Sequence, residues 1–157
     1  MKNFFKIAGI ILIILLIVFI VYFFVGRAPK TKNIIWGVNF SQMHTENLKL
    51  DWKKTYLALM DDIGVKNIKL IVNWDWINGK RGDYFFNDVD WQLTQAEQRN
   101  VNIMMVIGMK TGRWPECHIP NWAKNLSKQE RESAVIEYLR QMVLRYGNSK
   151  SIISWQI

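Results

Sequence analysis

The chain of 157 residues is long enough for one domain of ordinary size, and half of its residues are hydrophobic, which excludes a disordered protein. Its net charge of +8 is concentrated at one end, because residues 1–32 carry five basic residues and no acidic one, whereas the rest carries 16 bases and 13 acids. No basic stripe remains in the rest of the chain, so we expect no nucleic-acid partner, and the single Cys117 excludes an internal disulfide.

The first predicted element is a transmembrane helix over residues 7–26, a stretch of twenty residues without a charge. A helix of this length spans the hydrocarbon core of a bilayer, roughly 30 Å at about 1.5 Å per residue. Bulky and then basic residues follow it, so we expect an uncleaved signal anchor rather than a cleaved signal peptide. Residues 1–6 are then a short basic N-terminus, residues 27–33 a linker, and residues 34–157 the domain.

Apolar strands alternate with amphipathic helices after the linker. The predicted strands lie at 33–40, 65–74, 101–108 and 151–157. Between them, one helix begins after Asp51 as N-cap and ends at Gly64, and a second covers 86–100. A third begins at a capping box of Ser127 and Glu130. This alternation predicts an α/β fold with a parallel sheet.

The loops after the strands carry no GxGxxG or GxxxxGK pattern, which argues against nucleotide binding. Four successive βα units without a phosphate loop instead favour a (β/α)8 TIM barrel of which only the first four βα units are present. A complete barrel needs ~250 residues, so we expect the sequence to stop after strand four, inside the barrel.

The chemistry of such a barrel lies in the loops after its strands. Those after strands two and three are long for βα connections, which usually have ~2–6 residues. His44 lies in the first loop, Asp75 in the second, and Glu116 and His118 in the third. Cys117 and His118 are adjacent and lack the spacing of zinc ligands, so we predict no metal site.

Three stretches of these strands and loops resemble one enzyme clan. They read "KLIVNWDWINGKRGDYFFNDVDWQLTQAEQRNVNIMMVIG", "GRWPECHIPNWA" and "SIISWQI". Together they resemble the N-terminal half of the cellulase-like retaining glycoside hydrolases, a clan of (β/α)8 barrels. The resemblance implies hydrolysis of O-glycosidic bonds in a carbohydrate substrate, without a cofactor. Because polysaccharides lie mostly outside the cell, we expect a single-pass membrane protein with its barrel outside the cytoplasm.

The resemblance also places the catalytic groups. In that clan strand four typically reads W-Q/N-x-x-N-E, and its Glu is the general acid/base. Trp155, Gln156 and Ile157 match the approach to this motif, which implies an acid/base just after Ile157 and no catalytic residue in the chain as given. A catalytic pair of Asp75 and Glu116 stays open as an alternative, as do a loop cap for Asp75 and a salt bridge of Glu116 to Arg113.

Substrate contacts are predicted from residue type and place. Tryptophan faces stack on sugar rings, and four tryptophans lie in or beside the loops at the C-terminal ends of the strands. The substrate-binding candidates are Trp74, Asp75, Trp76, Arg113, Trp114, Glu116, His118 and Trp122. The supporting candidates are Lys69, Asn73 and His44. The tryptophans predicted for the core are Trp36, Trp52, Trp91 and Trp155.

A second class of function fits the same residues. A membrane-tethered carbohydrate-binding or scaffold protein derived from such a barrel would keep the anchor and the sugar contacts and would lack catalysis.

Overall fold

The computed structural model describes residues 2–24, 34–113 and 115–157, in two compact units, Met1–Ile34 and Ile35–Ile157. The first unit contains helix α1 (Lys2–Phe24). Its segment Phe4–Phe23 is fully exposed and is long and apolar enough to cross a membrane, a test that a signal sequence near an N-terminus also passes. The end of the predicted span and the predicted linker lie outside the described residues.

The second unit is built from four strands, with helical segments in each connection. In chain order the elements are β1 (Val38–Ser41), α2 (Gln42–Asn47), α3 (Trp52–Asp61), β2 (Asn67–Ile71), α4 (Trp74–Ile77), α5 (Asn87–Gln98), β3 (Asn102–Val106), a 3₁₀ turn (Asn121–Ala123), α6 (Lys128–Tyr146) and β4 (Ile152–Gln156). Neighbouring strands pair in parallel in the order β1-β2-β3-β4. The predicted α/β fold with a parallel sheet is confirmed: helices follow β1, β2 and β3, and β4 is the last element.

The predicted helix boundaries follow from their caps. Asp51 Oδ1 accepts hydrogen bonds from the backbone N–H groups of Lys53 and Lys54 at 3.0 and 3.1 Å, which starts α3. Gly64 closes the turn after α3 with φ of 74°, in the left-handed region that favours glycine. Ser127 and Glu130 form the predicted capping box of α6.

The two faces of the sheet differ. One face carries Phe40, Leu70 and Met105, which are buried in the core under the helices. The opposite face carries a row in which Lys69 lies beside Met104, and the Met104 side chain is 39% exposed. Parallel sheets are ordinarily covered on both faces. In a TIM barrel, side chains of further strands fill the inner face.

The structure corrects two predictions about the strands. Strand one begins at Val38 rather than at residue 33, and Trp36 is 79% exposed rather than in the core. Before β1, the side-chain amide of Asn67 donates to the Trp36 carbonyl oxygen at 2.9 Å in place of a strand ladder. Strand two ends at Ile71 rather than at Trp74, because helix α4 begins at Trp74. The other tryptophans predicted for the core do pack against it: Trp52, Trp91 and Trp155.

Candidate functional site

Four titratable side chains come together beyond the C-terminal ends of β1, β2 and β3. His118 lies at the centre, with its Nδ1 at 3.8 Å from Asp75 Oδ2 and its Nε2 at 3.5 Å from Glu116 Oε2. The other oxygen of Glu116, Oε1, lies 3.4 Å from His44 Nε2. We call Asp75, His118, Glu116 and His44 the central cluster. Its members come from all three predicted loops, so the structure brings together residues that the sequence places far apart.

Local structure holds each member in place. Ser41 ends β1 and caps α2, and its Oγ lies 2.8 Å from His44 Nδ1. Asp75 belongs to the first turn of α4, directly after β2. The backbone N–H of His118 donates to the Met109 carbonyl oxygen at 2.8 Å, which fixes the loop after β3. Ser41 was not predicted from the sequence, although a serine between a strand and a helix is an ordinary N-cap signal.

Glycine permits the close approach of the same loop. Gly112 has φ of 89°, a conformation that residues with a side chain rarely adopt. A Cβ atom added there would lie 3.5 Å from Glu116 Oε2 and 3.8 Å from the Ile71 side chain. The Glu116 carboxylate therefore sits against the backbone of its own loop.

Arg113 sets the charge of the cluster. Its Nε donates to Glu116 Oε1 at 2.6 Å, which is the salt bridge that the sequence left open as one alternative. This hydrogen bond is the largest influence that holds the pKa of Glu116 below its ordinary value of 4.5, with burial opposing it and His44 adding a smaller lowering effect. Glu116 is therefore a carboxylate at neutral pH.

Three polar atoms of the central cluster are buried without a hydrogen-bond partner among the described residues. They are Asp75 Oδ1, Glu116 Oε2 and His118 Nε2, of which the last two face each other at 3.5 Å without forming a hydrogen bond. Buried polar atoms are ordinarily paired, and leaving one unpaired costs roughly 1–3 kcal/mol. Their collection in one place beside a half-buried carboxylate is typical of a site that receives the polar groups of a ligand.

The supporting candidates take different places. Asn73 is buried beside the cluster, and its Oδ1 accepts a hydrogen bond from Thr111 Oγ1 at 2.8 Å, which ties the end of β2 to the loop after β3. Lys69 lies on the open face of the sheet within β2 and forms no salt bridge in the described part of the chain. It does not join the central cluster.

The tryptophan candidates also separate. Trp74 is fully buried and packs edge-to-face on Trp122 at 5.8 Å and nearly parallel to Tyr138 at 6.1 Å. The structure thus places Trp74 in the core instead of in a sugar contact, together with Leu70 and Val72. Trp122 is half-buried, and its indole N–H donates to the Asn78 carbonyl oxygen at 2.8 Å. Trp76 is 38% exposed, and Trp114 lies outside the described residues.

The described part of the chain contains no cluster of metal ligands. Across residues 2–24, 34–113 and 115–157, no group of three or more His, Cys, Asp or Glu side chains could hold a metal ion.

The second unit is similar in structure to glycoside hydrolases. A GH5_18 protein from Streptomyces cattleya in complex with GlcNAc matches 77% of this chain at 15% identity and a TM-score of 0.59. A GH5_18 variant from Bifidobacterium longum in complex with Manβ1-4GlcNAc matches 78% at 14% identity and a TM-score of 0.60. An exo-β-1,4-mannosidase from an Opitutaceae bacterium matches 77% at 14% identity and a TM-score of 0.59.

These similarities show the fold. The chain spans only 32%, 32% and 24% of the lengths of those three proteins. No protein-family model matches the sequence, and no curated protein is similar to it in sequence. The four parallel strands and the helices between them therefore have the α/β fold of TIM-barrel glycoside hydrolases, as the sequence predicted.

Proposed function

We propose that the central cluster binds carbohydrate, and that the whole protein hydrolyses O-glycosidic bonds. The observation that carries this proposal is the set of unpaired buried atoms on Asp75, Glu116 and His118, beyond the C-terminal ends of parallel strands. That end of the sheet is where TIM-barrel enzymes build their sites. The ligands named for two of the structural neighbours, GlcNAc and Manβ1-4GlcNAc, support a neutral sugar as substrate class.

The chemistry of the cluster fits sugar hydroxyl groups. A hydroxyl both donates and accepts, so it can donate to Asp75 Oδ1 or Glu116 Oε2 and accept from a ring N–H of His118. Hydrogen bonds to carboxylates are roughly twice as strong as those between neutral groups. The cluster would therefore fix the orientation of a sugar ring.

The charge state of Glu116 argues against its acting as the proton donor of a hydrolysis. A retaining glycosidase needs one carboxyl group with a raised pKa as proton donor and a second one about 5–5.5 Å away as nucleophile. The pKa of Glu116 is shifted in the opposite direction by Arg113. In this proposal Asp75 and Glu116 orient the substrate, and the acid/base and the nucleophile belong to the rest of the barrel.

The same observation favours the second candidate function, a membrane-tethered protein that binds carbohydrate without hydrolysing it. The two candidates differ in one result. A protein carrying all eight βα units should hydrolyse glycosides under the first candidate and only bind them under the second.

The proposal includes the membrane as a partner. The exposed apolar face of α1 runs all around the helix over residues 4–23, which suits a single-pass anchor. We place the second unit outside the cytoplasm, where polysaccharide substrates lie.

Titration of the full chain in detergent micelles with Manβ1-4GlcNAc, followed by saturation-transfer NMR, tests the proposed binding. We expect Glu116→Gln and His118→Ala each to weaken binding by roughly tenfold, since each removes a charged or ring partner of a hydroxyl. Glu132→Gln is the matched control, because Glu132 is an exposed carboxylate on α6.

Equal affinity of all three variants would contradict the proposed site. Hydrolysis by residues 1–157 alone, lost in Glu116→Gln, would instead put the chemistry in this chain.

A further inference from the structure

A cavity of about 140 Å³ lies beside the central cluster, enclosed by α2, the end of β2, α4 and α5. A single buried water needs roughly 10–15 Å³, so the cavity has room for on the order of ten waters, close to the number of non-hydrogen atoms in one hexopyranose with its hydroxyl groups. Ile77 and Val89 form part of its apolar wall. None of the titratable side chains of the central cluster lines it.

We propose that this cavity is a second carbohydrate site that takes one neutral pyranose ring. The inference rests on the proposed function in that both sites take carbohydrate, but it uses different residues. Asn73 lines the cavity and also accepts the hydrogen bond of Thr111 beside the cluster, so the two sites are neighbours at the same end of the sheet.

The polar end of the cavity offers acceptors. Gln42 Nε2 donates to Asp88 Oδ2 at 2.8 Å and to Glu46 Oε1 at 3.1 Å, which uses both of its amide hydrogens. Gln92, which is 2% exposed, donates to Gln42 Oε1 at 3.2 Å. Asp88 Oδ1 and Gln92 Oε1 take no part in these bonds, and each can accept a hydrogen bond from a ligand. A ligand that supplies two hydroxyl donors satisfies both.

The aromatic side of the cavity offers stacking surfaces. Trp76 is 38% and Phe85 52% exposed, and both line the cavity. Within the described residues neither ring packs against another aromatic ring, unlike Trp74 and Trp122. An uncovered aromatic face beside hydroxyl acceptors suits a ring with apolar C–H faces and polar edges, which a pyranose has.

The charged residues around the cavity determine which class of sugar it can bind. Asp88 forms no salt bridge in the described part of the chain, and no lysine or arginine lines the cavity. The carboxylate of a uronic acid would lie beside the Asp88 carboxylate without a compensating cation, and like charges at short range repel each other. The cavity therefore takes neutral sugars and rejects acidic ones.

The experiment compares methyl β-D-glucopyranoside with methyl β-D-glucuronide as probes, using saturation-transfer NMR on the full chain in micelles. We expect the glucoside to bind and the glucuronide not to bind. Trp76→Ala should lower the affinity for the glucoside by about tenfold, which is the upper end of what an aromatic contact contributes. Trp36→Ala is the matched control, because Trp36 is exposed but does not line the cavity.

Asp88→Asn supplies a readout that loss of fold cannot mimic, since it should admit the glucuronide. Equal glucoside affinity of Trp76→Ala and Trp36→Ala, or equal affinity of the wild type for both probes, would overturn the second site.

If His118→Ala abolishes all binding while Trp76→Ala changes nothing, the second site fails and the proposed function stands. If His118→Ala leaves binding intact and Trp76→Ala removes it, the central cluster fails instead.

Discussion

Glu116 shows how a single residue sets what the central cluster can do. Arg113 precedes it by three residues, and the guanidinium donates to one carboxylate oxygen while the other faces His118. A carboxylate held in this way accepts hydrogen bonds at neutral pH but has no proton to give to a leaving group. Glu116 can therefore accept hydrogen bonds from a sugar but cannot be the proton donor for cleavage of its bond.

Arg113→Ala should raise the pKa of Glu116 towards its ordinary value of 4.5, because the hydrogen bond that lowers it most is lost. The carboxylate form of the wild type persists as the pH falls below 4.5, until the pH passes the lowered pKa. Sugar binding that needs this carboxylate should therefore fail at a higher pH in the variant. The measurement is a carbon-detected NMR titration of the Glu116 carboxyl group.

Arg140→Ala serves as the control for that titration. Arg140 donates to Glu137 in an equivalent pair three residues apart, and it lowers the pKa of Glu137 rather than that of Glu116. An unchanged Glu116 titration in Arg113→Ala would mean that His44 or the loop backbone, not Arg113, holds the carboxylate.

Sequence reasoning reached some of these residues and not others, for physical reasons. The pair of Arg113 and Glu116 is local, so its spacing is visible in the sequence. The approach of His118 to Asp75 depends on how two loops fold over the sheet, which no local pattern reports. Trp74 was wrong as a sugar contact because alternate residues of β2 up to position 72 are buried, and Trp74 continues that alternation into the core.

At the scale of elements, the length of a helix decides whether the sequence predicts it. The helices α3, α5 and α6 show apolar periodicity over several turns, and α3 and α6 also have side-chain N-caps, so the sequence predicts them. The helices α2 and α4 have 6 and 4 residues, too few for a period of 3.6 to show. Helix α2 carries His44 and α4 carries Asp75, and both helices line the cavity beside the central cluster. The elements that the sequence did not predict are therefore those nearest the two proposed sites.

Helix α1 carries the prediction at this scale. The full chain should stay with membranes after an alkaline wash, because an uninterrupted apolar helix is held by burial in the hydrocarbon core rather than by charge. A variant with Leu15→Lys and Leu16→Lys in the middle of the helix should be released, since each central lysine costs roughly 2.5–3.5 kcal/mol. Immunoblots of membrane and soluble fractions measure both.

A soluble wild-type chain that begins near Arg27 would contradict the anchor and indicate a cleaved signal peptide. Release of wild type and variant alike, with the N-terminus intact, would mean that α1 does not span the membrane.

At the scale of the whole molecule, the sheet has one covered and one open face. The open face exposes Met104 beside Lys69, and the outer edges of β1 and β4 have no strand partner in the described part of the chain. Unpaired strand edges and exposed apolar surface favour association with another protein surface. The sequence predicted this half-barrel from its four βα units, but the identity of what covers the open face is not encoded in those units.

The last prediction follows from that open face. Residues 1–157 should self-associate in micelles, and Met104→Gln should weaken the association by about 1 kcal/mol, or roughly fivefold, because a partly exposed apolar side chain is no longer buried between copies. Ile136→Gln is the control, since Ile136 is 64% exposed but lies on α6, on the opposite side of the sheet. Sedimentation velocity measures the self-association of both variants. Both variants keep α1 unchanged, so any contribution of that helix to association is the same in each. A monodisperse monomer with a sharp cooperative melt would show instead that four βα units are stable with one face open.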